Sequence, residues 1–291
     1  MQTEIKNKIT QVNSFIDEAF NPAYVSTFQL IIQISIDNIL VAVNEKAGNK
    51  YIAFENYNFQ NIYNFDGVAD VLETLIKDSK LIKHKYKSTV CVIVNNLSTL
   101  VPSALYEEDR IKMYLNFNAE LEGDEMVMVD DLKSMDAKNV FALPLSIKAK
   151  LDYLFSNIKY HHASSALIDT LVLQNKNQTG QKLFVHVQPS HLEILLIDGK
   201  KLLFYNTFNY NSAEDFIYYL LFVCEQLHLN PETIDVTLLG EIERNSTIYS
   251  LTQKYVRKLK FGERNDGAIY SYQLQTLPAY YYFTLFNNYY S

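Results

Sequence analysis

Few residues in this chain have a type and spacing that could do chemistry, and each has a competing structural role. Asp37, in Ile36-Asp37-Asn38-Ile39, could organise a metal ion, but Asp-Asn is also an ordinary hairpin-turn pair that tolerates positive φ, and the turn reading is favoured. His161 and His162 are adjacent. In an extended segment their side chains point to opposite faces and do not easily share one ion, so one is expected to be structural and the other exposed. His186 and His191 flank a turn at Pro189-Ser190, and His191 could pair with a carboxylate from the other half of the chain. The acidic stretch Glu120 to Asp136 lacks the Asp-x-Asp-x-Asp-Gly spacing of a calcium loop and reads as a solvated hairpin. The sequence holds no Gly-x-Ser-x-Gly elbow, no P-loop and no dinucleotide fingerprint. Cys91 and Cys224 sit in apolar runs, as small core residues rather than activated thiols or a disulfide, which fits a reducing compartment.

The elements that must position these residues repeat. Phe28 to Asn56 is an apolar run, a tight turn at Asp37-Asn38, a second run, a Gly48 hairpin and a third run. Leu183 to Asn206 repeats that order with turns at Pro189-Ser190 and Asp198-Gly199. Each triplet precedes an amphipathic helix, marked by Val68, Val71, Leu72, Leu75 and Ile76 in the first half and by Phe216, Tyr219, Leu220, Val223 and Leu227 in the second. A further strand follows, Thr89 to Val94 or Ile234 to Leu239, so the pattern predicts an α/β protein with mixed sheets, built as two lobes.

Outside the repeat, Ile9, Val12, Ile16 and Phe20 recur at helical spacing and predict a helix over residues 6–20. The middle third predicts a helix near Glu107 to Leu115, strands at Met126 to Val129 and Asn139 to Leu143, and helices at Ile147 to Phe155 and Ser164 to Leu173. The polar stretch Asn175 to Gly180 is the best linker, which sets a first lobe over residues 1–176 and a second over 177–269. The segment 270–291 carries Tyr280, Tyr281, Tyr282, Phe283, Phe286, Tyr289 and Tyr290. That is too much aromatic surface for a frayed end, and the segment is expected to pack back on the first lobe.

Bulk properties narrow the classes of function. With 291 residues and 48% hydrophobic content, the chain can bury two cores. A net charge of -7 and only four Arg residues argue against a nucleic-acid partner. The longest uninterrupted apolar run, Phe216 to Cys224, is far short of the roughly 20 residues a spanning helix needs. The start of the chain has no apolar signal region. A cytoplasmic protein without direct membrane insertion is expected.

Two units of three antiparallel strands, a helix, another strand and another helix resemble the actin-like ATPase superfamily, whose lobes are ribonuclease H-like. The run Thr99-Leu100-Val101-Pro102-Ser103-Ala104-Leu105-Tyr106 and the segment Tyr160-His161-His162-Ala163-Ser164-Ser165 carry a closer likeness. It is to a bacterial family of domains of unknown function with this duplicated fold, itself reminiscent of pilus-assembly and type II secretion proteins. In active superfamily members an Asp followed by Gly opens the first hairpin so that amides can approach phosphates. Here Asn38 follows Asp37, and its Cβ obstructs that approach. The second hairpin, at Gln188-Pro189-Ser190, has neither carboxylate nor Gly, and Pro189 removes a donor. The paired glycines that would cradle adenosine are reduced to Gly240, followed by Glu241.

A nuclease of this superfamily would need a carboxylate where Asn95 and Asn96 stand. Eight Gly in 291 residues, against an average of roughly 7%, leave no Gly-rich loop. The resemblance implies a two-lobed fold whose cleft, if any ligand binds there, would be lined by Asp37, Asn38, Asn95, Gln188, Ser190, Gly240 and Glu241. The expected function is a non-catalytic, protein-binding scaffold without cofactor or metal, with ATP and Mg²⁺ disfavoured as its alternative. A homodimer is left open.

Overall fold

The structure, a computed structural model, describes residues 8–121, 123–264 and 267–287. In chain order the strands and helices are β1 (Lys8–Ile16), β2 (Phe28–Ile34), β3 (Asn38–Glu45), β4 (Lys50–Gln60), α1 (Phe65–Asp78), β5 (Ser88–Ile93) and β6 (Ser98–Pro102). Next come α2 (Ile111–Asn116), β7 (Glu125–Asp131), β8 (Ala137–Pro144), α3 (Leu145–Leu154), β9 (Ile158–His162) and α4 (Ala163–Asn175). The remainder is β10 (Gln181–Val187), β11 (His191–Asp198), β12 (Lys201–Asn209), α5 (Ala213–Gln226), β13 (Asp235–Gly240), α6 (Thr247–Tyr255), β14 (Lys258–Phe261), β15 (Ile269–Tyr270) and α7 (Phe283–Phe286).

The described residues form two compact units, one from 8–166 with 267–277 and the other from 167–264 with 278–287. In the first, strands run β1-β4-β3-β2-β5-β9, with β15 also on β4. In the second the order is β12-β11-β10-β13-β14. The series β4-β3-β2-β5-β9 is therefore repeated as β12-β11-β10-β13-β14, with antiparallel hairpins and parallel crossovers at matching places. A crossover through a helix is what a parallel neighbour requires.

Strands β2 and β3 are buried almost throughout, and α1 and α3 side chains share a core with their Leu30, Ile32, Ile34, Val41 and Val43 face. Helix α1 buries Val68, Val71, Leu72 and Leu75, and is started by Asn64, whose side chain accepts the Gly67 N–H. Helix α5 does the same with Phe216, Leu220 and Val223, started by Ser212 on Asp215 N–H. Between β5 and α3 the first unit inserts a three-stranded sheet, β6-β8-β7, with its own small core of Val101, Leu115, Val127, Val140 and Ala142.

The helix predicted over residues 6–20 is instead strand β1, paired antiparallel with β4. A register shift leaves Val12 unpaired between Gln11 and Asn13, and that bulge moves the apolar phase by one residue, so a strand imitates helical spacing. The tail divides: β15 pairs with β4 in the first unit, while the segment 278–287 groups with the second. Tyr289 and Tyr290 lie outside the described residues. Among the described residues no helix is long and apolar enough to cross a membrane.

Candidate functional site

In the first unit the β2–β3 turn holds Asp37 and Asn38. The hydroxyl of Ser35 accepts both their backbone N–H groups, at 3.1 and 2.9 Å, and donates to Asn38 Oδ1 at 3.0 Å. The Asp37 carbonyl accepts the N–H of Phe59 at 3.2 Å. Amides that could face a phosphate are thus engaged by the turn's own serine, an ST-turn geometry. Parallel pairing of Ile34 with Ile93 places the end of β5 alongside this turn. Asn95, just beyond it, donates from Nδ2 to Ala142 O at 3.0 Å and accepts Leu97 N–H at 2.9 Å.

The second unit has the equivalent pair of loops. The carbonyl of Gln188 accepts the Tyr210 hydroxyl at 2.6 Å, and the carbonyl of Ser190 accepts the Tyr210 N–H at 3.3 Å. Val187 and Gly240 are neighbours across β10 and β13. The N–H of Gly240 donates to Tyr280 O at 2.8 Å, and the N–H of Glu241 donates to Val187 O at 2.8 Å. Gly240 has φ of +86°, and a Cβ there would lie 2.2 Å from Val187 O. Its glycine is demanded by its own sheet, with no ligand needed to explain it.

A buried polar cluster that the sequence did not announce ties β7 to β9 and α4. Asp130 Oδ1 takes His161 Nδ1 at 2.8 Å; its Oδ2 accepts the His162 N–H at 2.9 Å and the Ser165 hydroxyl at 2.6 Å. His162 Nδ1 meets Ser164 Oγ at 2.6 Å, its Nε2 faces Asn95 Oδ1 at 3.2 Å, and Asn139 Nδ2 donates to both serines at 2.8 Å. Both histidines are therefore structural, correcting the expectation that one is exposed. Asp130 is the member of the acidic stretch that turned inward. Its carboxylate sits at the start of α4, where exposed N–H groups attract negative charge. Asp130→Ala is expected to cost about 2–4 kcal/mol, because it strands two hydroxyl or amide donors and a histidine; an unfolding midpoint in urea measures it.

The second unit has its own buried polar row. His186 Nδ1 donates to Glu193 Oε2 at 2.7 Å, and the Tyr205 hydroxyl donates to Glu193 Oε1 at 2.8 Å. Burial alone would raise the Glu193 carboxyl, but the hydrogen bond and charge of His186, the charge of His191 and the Tyr205 hydrogen bond hold it at about 2. His191 is thus placed beside a carboxylate of its own unit. Burial pushes the Cys91 thiol up, and that of Cys224 to about 11, so neither is an activated nucleophile. Among the described residues no three His, Cys, Asp or Glu side chains are grouped to hold a metal. A cavity of about 590 Å³ between α1 and α3 is lined by Asp66, Asp70, Lys150 and Tyr153 among others, and by none of the residues singled out from the sequence.

The repeated sheet order and the loops at matching strand ends define a protein with the actin-like ATPase fold. A Bacteroides thetaiotaomicron protein described as having an actin-like ATPase fold and unknown function is similar, at 21% identity and a TM-score of 0.75 over 84% of this chain and 93% of that one. PilM, in the PilM–PilN type IV pilus biogenesis complex, is similar at 12% identity and a TM-score of 0.53, over 84% and 91%. No curated protein matches the sequence. The chain belongs to the family described as "Protein of unknown function (DUF3822)", whose model matches residues 17–259.

Proposed function

We propose that this chain is a non-catalytic, cytoplasmic actin-like protein that works by binding other proteins, as a scaffold or assembly component. The observation that carries this reading is the engagement of the turn amides: Ser35 takes those of Asp37 and Asn38, and Tyr280 takes that of Gly240. A magnesium nucleotide, the ligand of active members of this fold, needs such amides free and a glycine-lined approach to its phosphates. The residues present do not fit it. Asp37, Asn38 and Asn95 in the first unit, and Gln188, Ser190, Gly240 and Glu241 in the second, then serve to hold their own loops together. That PilM, in the same fold, is seen in a complex with PilN is in keeping with a partner-binding role.

Titration calorimetry with ATP and Mg²⁺ tests this, and no binding is expected up to millimolar nucleotide. Micromolar affinity that disappears in Asp37→Ala would overturn the scaffold reading in favour of a divergent ATP-binding protein.

A further inference from the structure

Among the described residues, the terminal strands of the three sheets other than β12 are short or carry charges, polar side chains or a proline that discourage pairing with another chain. Strand β1 presents the exposed polar side chains of Thr10, Gln11 and Ser14. Strand β9 has five residues, and β14 has four, two of them the exposed Lys258 and Lys260. Strand β6 ends in Pro102, and β7 carries Glu125 and Asp131. These are the usual protections of an edge. Strand β12 is different. It is nine residues long, holds Leu202, Leu203, Phe204, Tyr205 and Phe208, and its single charge is Lys201 at one end. None of its residues is fully buried. After one irregularity at Leu203 the strand runs regularly from Phe204 to Asn209.

We propose that a second copy of this chain closes that edge, the two β12 strands pairing antiparallel about a two-fold axis at Asn206. This inference is independent of whether nucleotide binds. The backbone sets which groups can pair. The N–H of Thr207 donates to Asn206 Oδ1 at 2.9 Å, so it points away from β11. The alternation of a ladder turns the N–H and C=O of Tyr205 the same way. With the axis at Asn206, Tyr205 of each copy lies opposite Thr207 of the other, and the two can exchange both hydrogen bonds.

The side chains choose this register. Phe204 lies opposite Phe208 on the face where Phe208 stacks on Tyr219 of α5 at 4.9 Å, giving two cross-strand aromatic pairs. Axes at Tyr205 or Thr207 would instead set a Phe against Asn206. Tyr218 and Phe222 of α5 stack on each other and stand 61% and 39% exposed on the flank of this edge; in the dimer they meet their counterparts. Charge agrees: Lys200 and Lys201, before the irregularity at Leu203, lie at the end of the edge that meets the other copy's acidic start of α5, with Glu214 and Asp215. Such an interface is isologous and closes at two copies.

Light scattering on the full chain should give twice the 33.7 kDa chain mass. Because Asn206 meets itself at the axis, Asn206→Lys and Asn206→Glu should each be monomeric through like-charge repulsion, and an equimolar mixture should return to the dimer mass. Asn206 is exposed, so both variants should melt as wild-type monomer does. Thr207→Pro, which deletes an N–H bonded only to Asn206, should also be monomeric. A wild-type chain that stays monomeric at about 100 µM, a concentration at which even a weak specific dimer forms, overturns the proposal. So does an Asn206→Lys protein that remains dimeric, or a charge mixture that does not reassociate.

Discussion

Gly240→Ala is expected to lower the unfolding free energy by about 3 kcal/mol or more, while Gly180→Ala costs about 1 kcal/mol. The two glycines share a φ of +86°, so the intrinsic strain of placing a Cβ in that region is common to both. What differs is space. Nothing lies within 4 Å of a Cβ at Gly180, whereas at Gly240 it would stand 2.2 Å from Val187 O and 2.9 Å from Val187 N. Those are backbone atoms of β10, which is held between β11 and β13 and cannot swing aside as a side-chain end would. Relief would pull β13 away and break the Glu241 N–H to Val187 O bond. Urea midpoints of the two variants against wild type decide the point, and a Gly240→Ala protein as stable as Gly180→Ala would show that the glycine is kept for some reason other than packing.

The repeated strand and helix pattern was legible because apolar runs bounded by Asp37-Asn38, Gly48, Pro189-Ser190 and Gly199 leave few alternatives to hairpins. β1 was not, because its bulge shifts the apolar phase. The missing phosphate glycines were visible as well, but what replaced them was only half visible. Ser35 stands two residues before Asp37, a spacing that favours a serine-capped turn, and that signal was available. Asp130 gave no such sign, since one inward carboxylate among the many acids between Glu120 and Asp136 depends on where β9 and α4 lie, which is a long-range fact. Glu193 did: a lone carboxylate in Leu192-Glu193-Ile194, opposite His186 across a short turn, is the cross-strand pairing a hairpin makes.

His186→Leu is expected to cost about 3–5 kcal/mol at neutral pH, because it leaves the Glu193 carboxylate buried without the His186 hydrogen bond. Adding Glu193→Leu should recover most of the loss, since removing both partners of a buried pair costs far less than removing one. The pH dependence has a definite sign. In the wild type the Glu193 carboxyl is lowered from 4.5 to about 2. Its contribution, on the order of 3 kcal/mol by linkage, is complete above the unfolded value and is lost as pH falls from about 4.5 through about 2. In His186→Leu the same carboxyl, desolvated without the His186 hydrogen bond, is raised, so its protonation stabilises the fold as pH falls toward 4.5. Thermal melts of the two proteins should therefore converge between neutral pH and pH 3, and a gap that stays constant across that range would mean that Glu193 is not held ionised by His186.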